Sequence, residues 1–163
     1  HDAGDTHHCA PTVRFMGERS GPFWDGVEGR APLPPAATTL GLQFVGADVE
    51  RGTIELTFEA REEFTNPVGN VLGAFVAAML YDTVGPALLA TLRPDEFQST
   101  QNLVVHFLRP VRPGRLVGKG RVLTRDGDLA HLEGSLFDAE LQLLATATAI
   151  ARVIPLDAAR DAV

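Results

Sequence analysis

Residues 66–92 read NPVGNVLGAFVAAMLYDTVGPALLATL, and their pattern decides the fold. Asn66-Pro67-Val68-Gly69 is a cluster of turn formers, because proline lacks an N–H and glycine tolerates left-handed backbone. Beyond it the chain is apolar in nearly every direction from about Asn70 to Leu92, with Asp82 its only formal charge. That predicts a helix over about 70–92, buried around most of its circumference. The stretch has the length of a membrane span, yet Asp82 and Gly85-Pro86 interrupt it and the sequence after it alternates. A core helix fits those features better. Pro86 predicts a kink or a restart near Gly85.

Working outward, both flanks read as strands. On the N-terminal side Ile54, Leu56 and Phe58 alternate with Thr53, Glu55, Thr57 and Glu59, and an earlier run holds Leu42, Phe44 and Val45. Glu50-Arg51-Gly52 between them predicts an antiparallel hairpin. On the C-terminal side four more strands are predicted: Leu103–Leu108, Leu116–Thr124, Leu129–Phe137 and Leu143–Ile154, with Asp126-Gly127 as a hairpin turn. Gly118 and Gly120 mark a bend or a close backbone approach. Ala145, Ala147, Ala149 and Ala151 share one face of the last strand, a row of small residues suited to close packing against the helix. Two strands, one helix and four strands predict an α+β architecture, an antiparallel sheet of about six strands wrapped around a long central apolar helix. One curved sheet cannot cover a helix that is apolar all round, so a second copy of the chain is expected to cover the rest. The segments expected are an N-terminal arm and Pro-rich linker over 1–35, the main domain over 36–156 and a C-terminal tail over 157–163. Phe23-Trp24 is expected to pin the arm to the body.

Composition narrows the function. The 163 residues carry 14 Lys+Arg against 21 Asp+Glu, a formal net charge of −7. A net excess of acids opposes general nucleic-acid binding, which needs cations for phosphates. Cys9 has no second thiol to pair with, and the first twenty residues lack the basic start and apolar run of a secretory signal, so a cytoplasmic setting is expected, with no membrane partner. His1, His7, His8 and Cys9 lie in a polar terminus and read as an incidental cluster; no metal site is expected. His106 and His131, each on a strand, read as structural or interface residues.

The chemistry concentrates where the loop meets the helix. Small residues there leave unpaired backbone N–H groups, and the helix dipole favours developing negative charge, so Gly73 can let a carbonyl approach the backbone as in an oxyanion hole. Asp82, nine residues on, must reach water, a partner or a substrate. A purely structural alternative is equally open: the glycines start the helix and Asp82 pairs across an oligomer interface.

From about Phe23 to Ile154 the chain resembles the PaaI-like branch of the hotdog-fold acyl-CoA thioesterases. The matching stretches are Pro32-Leu33-Pro34-Pro35, Asn66-Pro67-x-Gly69, AAML from Ala77 to Leu80, Asp82-Thr83-x-Gly85-Pro86-Ala87, FLRPVRPG from Phe107 to Gly114 and ATATA from Ala145 to Ala149. The resemblance implies a sheet around a central helix, a homodimer or homotetramer, and an intersubunit site that hydrolyses acyl-CoA to free acid and coenzyme A. No cofactor is implied beyond coenzyme A as part of the substrate. Asn66 matches the asparagine that orients the thioester, Gly69 the glycine after it, and Gly73 the glycine whose N–H polarises the carbonyl. Thr100 matches a Ser or Thr that positions water.

Departures from the pattern carry equal weight. Leu72 stands where His or Gln is usual, Ala74 replaces a second glycine, and the position of the catalytic carboxylate falls on Tyr81, with Asp82 next to it. One helix position is a rotation of about 100°. A phenol with an ordinary pKa near ~10 is a poor general base at neutral pH. The resemblance therefore leaves two expectations: thioester hydrolysis with Asp82 in a shifted geometry, or a noncatalytic acyl-CoA or acyl-ligand binding protein that uses the same pocket lined by Leu72 and Ala74. Arg109, Arg112 and Arg115 sit near a strand end, where guanidinium groups hold phosphates well; solvated edge charges are the alternative.

Overall fold

The computed structural model describes residues 19–163. Two short helices, α1 (Pro22–Val27) and α2 (Pro35–Thr39), precede strands β1 (Gln43–Asp48) and β2 (Thr53–Ala60). The central helix α3 (Gly73–Leu89) follows, then β3 (Glu96–Phe107), β4 (Gly114–Asp126), β5 (Leu129–Phe137) and β6 (Leu143–Pro155). All six strands form one sheet in the order β1-β2-β4-β5-β6-β3, with every pairing antiparallel. A sheet of six antiparallel strands packed on one helix is the α+β arrangement that the alternation predicted, and it fits the hotdog fold that the resemblance implied.

The helix lies hard against the sheet because the sheet offers it almost no side chains at the crossing. A Cβ on Gly120 would stand 2.7 Å from the Thr83 carbonyl oxygen, and one on Gly134 would stand 2.8 Å from a Val84 methyl. Either contact is closer than atoms can approach, so these strands admit only glycine there. Around them the helix buries Met79, Leu80, Val84 and Leu88 completely, and the predicted alanine row of β6 is equally buried. Burying such a leucine contributes about 2 kcal/mol, so this face alone accounts for much of the driving force. Thr83, the one polar side chain at the crossing, donates its hydroxyl to the Met79 carbonyl at 2.7 Å.

Three local expectations are revised. The helix begins at Gly73, not Asn70, because the loop before it is bonded elsewhere: Val71 N–H donates to Val111 O at 2.8 Å and Leu72 N–H to Phe64 O at 2.8 Å. It runs unbroken through Pro86 and ends at Leu89, with no restart. Pro86 stands only three residues before the end, so its missing N–H removes a single bond of the ladder, the one to Asp82 O. Strand β3 begins at Glu96, seven residues earlier than its alternation suggests. A bulge between Thr100 and Asn102 explains this. Gln98 and Thr100 are buried before it and Leu103 and Val105 pack inward after it, so the period-2 pattern changes phase in mid-strand.

The aromatic pair anchors the described part of the arm. Trp24 is buried and meets Phe23 and Phe44 edge-on at centroid distances of 5.1 and 5.9 Å. Downstream of it, Gly41 (φ +64°) turns the chain into β1 so tightly that a Cβ there would sit 2.7 Å from Glu59 Cβ. Leu40 O accepts from Glu59 N–H at 3.0 Å, which fixes α2 to β2. No helix among the described residues is long and apolar enough to cross a membrane.

Candidate functional site

The loop before α3 is built around one side chain. Asn66 Oδ1 accepts from the N–H groups of Val68 and Asn70, both at 3.1 Å, and Asn66 N–H donates to Asn70 O at 2.8 Å. Gly69 completes the turn at φ +84°. With its oxygen committed to the backbone, Asn66 has its amide N–H₂ left to donate into the groove that it lines. Leu72 caps the helix without a side-chain bond. The N–H groups of Gly73 and Ala74 therefore have no carbonyl to bond among the described residues, as helix geometry requires of the first turn.

Gly73 is roofed by an aromatic ring. A Cβ on it would come within 3.3 Å of two carbons of Phe107, which is itself 58% exposed. The groove here, about 410 Å³, is lined by Asn66, Asn70, Gly73, Val76 and the segment from Phe107 to Val111. Asn70 Oδ1 is buried in it without a hydrogen-bond partner among the described residues. Arg109 borders the groove and has no carboxylate within ion-pair distance among the described residues. Arg112 is exposed and does not line it. Leu72, 47% exposed, and Ala74 likewise lie outside its lining.

Asp82 occupies a different setting. With Tyr81, Ala77, Ala78 and Leu103 it lines an apolar depression of about 420 Å³, closed on one side by Pro34, Ala36, Ala37 and Leu40. No cation or hydrogen-bond donor among the described residues reaches its carboxylate. Burial among apolar atoms pushes its pKa up to about 6, from an ordinary 3.8. Tyr81, 46% exposed, stands at the rim of the same depression.

Gly73 and Asp82 are separated by nine residues, about 13.5 Å of helix rise, and border separate depressions in one chain. Strand β3 runs past both, with Phe107 at Gly73, Leu103 beside Asp82 and Gln98 against Gly85. Thr100 lies between the last two; it is buried and donates its hydroxyl to Gln98 Oε1 at 2.9 Å, lining neither depression. Neither strand histidine joins the site: His106 is exposed on β3, and His131 Nδ1 lies 3.3 Å from Thr124 Oγ1. His1, His7, His8 and Cys9 lie outside the described residues. Among those described, no three His, Cys, Asp or Glu side chains gather as a metal site. A further depression, about 470 Å³, includes Lys119, Arg121 and Glu133 on its lining and neither Gly73 nor Asp82; Arg121 and Glu133 pair with each other there at 3.3 Å.

The sequence singled out Asn66, Gly73 and Asp82, and the structure adds Asn70, Phe107 and the wall from α2 to the linings of the two depressions. Asn70 had a signal, as the second asparagine of NPVGN. The α2 wall had none, since PAATT carries no chemistry of its own.

Comparison with solved structures places this architecture. The chain is similar to a phenylacetic acid degradation-related protein from Ralstonia eutropha JMP134, provisionally named a thioesterase, at 38% identity over 80% of this chain and 98% of that one, with a TM-score of 0.77. It shares its fold with a Haemophilus influenzae thioesterase (17% identity, 85% and 94% covered, TM-score 0.72). It shares it also with the PaaI protein of the E. coli phenylacetic acid degradation operon (14%, 81% and 93%, 0.71). No family model matches the chain, and no curated protein matches it in sequence. The class is the hotdog fold, and within it the chain belongs to the PaaI-like thioesterase family.

Proposed function

We propose that the protein is an acyl-CoA thioesterase of the cytoplasm, working as a homodimer or a dimer of dimers. The observation that carries the reading is a half-buried carboxylate and a set of helix N–H groups, both without partners among the described residues, placed at two points along the same strand. That strand, β3, is the edge of the sheet, and Val104 on it is 50% exposed. Two copies joined antiparallel along β3 complete the site if the two-fold axis passes near Val105. Leu103 of one copy then lies opposite Phe107 of the other, and Asp82 of the first approaches Gly73 of the second.

In that arrangement the thioester carbonyl accepts from Gly73 N–H, supported by the Asn66 amide, and its developing negative charge is stabilised by the helix N-terminus. Asp82 takes a proton from water as the water oxygen bonds to the carbonyl carbon. The C–S bond then breaks, and the proton passes to the departing thiolate. A carboxylate with a pKa raised to about 6 is ionised at neutral pH and more basic than an ordinary aspartate. Tyr81, one position away, faces the rim and shapes the pocket. Arg109 and Arg112, free of carboxylate partners among the described residues, take the phosphates of coenzyme A.

A second reading is favoured by Tyr81 itself: with a phenol where the family resemblance implies an acid, the pocket holds acyl-CoA without turning it over. Thiol release from short, medium and aromatic acyl-CoAs by the purified protein decides between them. Turnover of at least one is expected; binding without turnover of any would leave the binding module.

A further inference from the structure

One wall of the Asp82 depression has no part in the chemistry proposed above. Pro34, Ala36, Ala37 and Leu40 come from α2 and its flanks, far in sequence from the helix they face. This wall is fixed. Ala37 and Leu40 are buried, Leu42 N–H donates to Ala37 O at 3.0 Å, and the tight Gly41 turn holds the segment on β2. On this wall Pro34 and Ala36 are exposed, and Ala36 is the one that lies within α2.

We infer that α2 is the acyl-selecting wall of the site and that the group it admits is a neutral hydrocarbon chain. The inference rests on the acyl-CoA reading of the same site. Four alanines, at 36, 37, 77 and 78, leave the space open, and apolar surface surrounds it apart from Asp82 and the Tyr81 hydroxyl. A hydrocarbon entering it gains the transfer free energy of each buried methylene. An acyl chain ending in its own carboxylate meets Asp82 with no lysine or arginine on the lining to neutralise either charge. Such a chain is rejected by like-charge repulsion and by desolvation.

Calorimetry with non-hydrolysable thioethers tests this in the full-length protein. Hexyl-CoA is expected to bind the native protein, and the same chain ending in a carboxylate to bind about tenfold or more weakly at pH 7.5. Ala36→Trp, a surface substitution that fills the depression, is expected to weaken hexyl-CoA about tenfold and leave free coenzyme A within about twofold. Ala36→Leu gives an intermediate loss, and retained coenzyme A affinity reports a folded variant. Equal weakening of hexyl-CoA and coenzyme A, or of neither, would overturn the wall. Equal binding of neutral and carboxylated chains would overturn the selection for neutral groups. Hexanoyl-CoA turnover is read separately. Selective loss in Ala36→Trp without any native turnover keeps the wall and removes the thioesterase reading, whereas turnover indifferent to the substitution does the reverse. A native protein that binds no hexyl-CoA removes the wall, and one that also turns over no acyl-CoA of the panel removes both.

Discussion

The two ends of the proposed site on α3 are made of different materials. At Gly73 the working groups are backbone amides, held by a loop whose every bond is to main chain or to Asn66. At Asp82 the working group is one side chain, surrounded by apolar atoms that give it no partner. Backbone donors are obtained at no cost in stability, because helix termini always expose them. A half-buried carboxylate is obtained only against desolvation, which is what raises its pKa. The amide end is therefore robust to side-chain change and sensitive to shape, and the acid end is the reverse.

The sharpest way to break that contrast is Asp82→Asn. It is expected to lower kcat about a thousandfold, the ordinary worth of a general base, measured by thiol release. Because the amide is nearly isosteric, substrate affinity is expected to stay within a few-fold. A kcat loss under tenfold would move the base to another residue.

The pH profile comes next. Activity is expected to fall about tenfold for each unit below about 6 as Asp82 takes up its proton. Stability runs the opposite way. The folded carboxyl holds its proton more tightly than the unfolded one, so between about 3.8 and 6 the native state binds more protons and its stability falls as pH rises. Above that window the contribution is constant and unfavourable. Asp82→Asn is thus expected to stabilise the protein at pH 7 by up to about 3 kcal/mol while removing activity, seen as a higher denaturant midpoint. A destabilised variant would mean that the carboxylate has a partner in the assembled protein.

At the amide end, Gly73→Ala keeps the N–H but pushes the Phe107 ring, since its Cβ would stand 3.3 Å from two ring carbons. A loss of about tenfold in kcat/KM is expected, with stability nearly unchanged because the ring is exposed and has room to give. Pairing this variant with Phe107→Ala, which removes the obstruction, is expected to recover part of the loss. The smallest effect is assigned to Arg109→Ala. It raises KM about threefold without changing kcat, and the difference shrinks at high salt, as for any exposed phosphate contact.

Much of this was legible in the sequence, for identifiable reasons. The helix was visible because one stretch is apolar in all directions, and the hairpins because Arg51-Gly52 and Asp126-Gly127 interrupt clean alternation. The first half of β3 was not, because the bulge at Gln101 reverses which residues face inward. Among site residues, Asp82 announced itself as a lone charge, and Gly73 as a glycine at a helix start. Phe107 looked like any apolar strand residue, and nothing in PAATT suggests a wall.

By itself, the sequence determined the local elements, the glycines and alanines that let helix and sheet approach, and the identity of the lone acid on the helix. Those follow from periodicity and side-chain volume, which are properties of neighbours along the chain. Only the tertiary structure decided that β3 would run past both Gly73 and Asp82, that Phe107 would roof the one and that α2 would wall the other. Such contacts join residues far apart in the chain, and they form because burying the helix on the sheet leaves β3 and the arm no other place to pack.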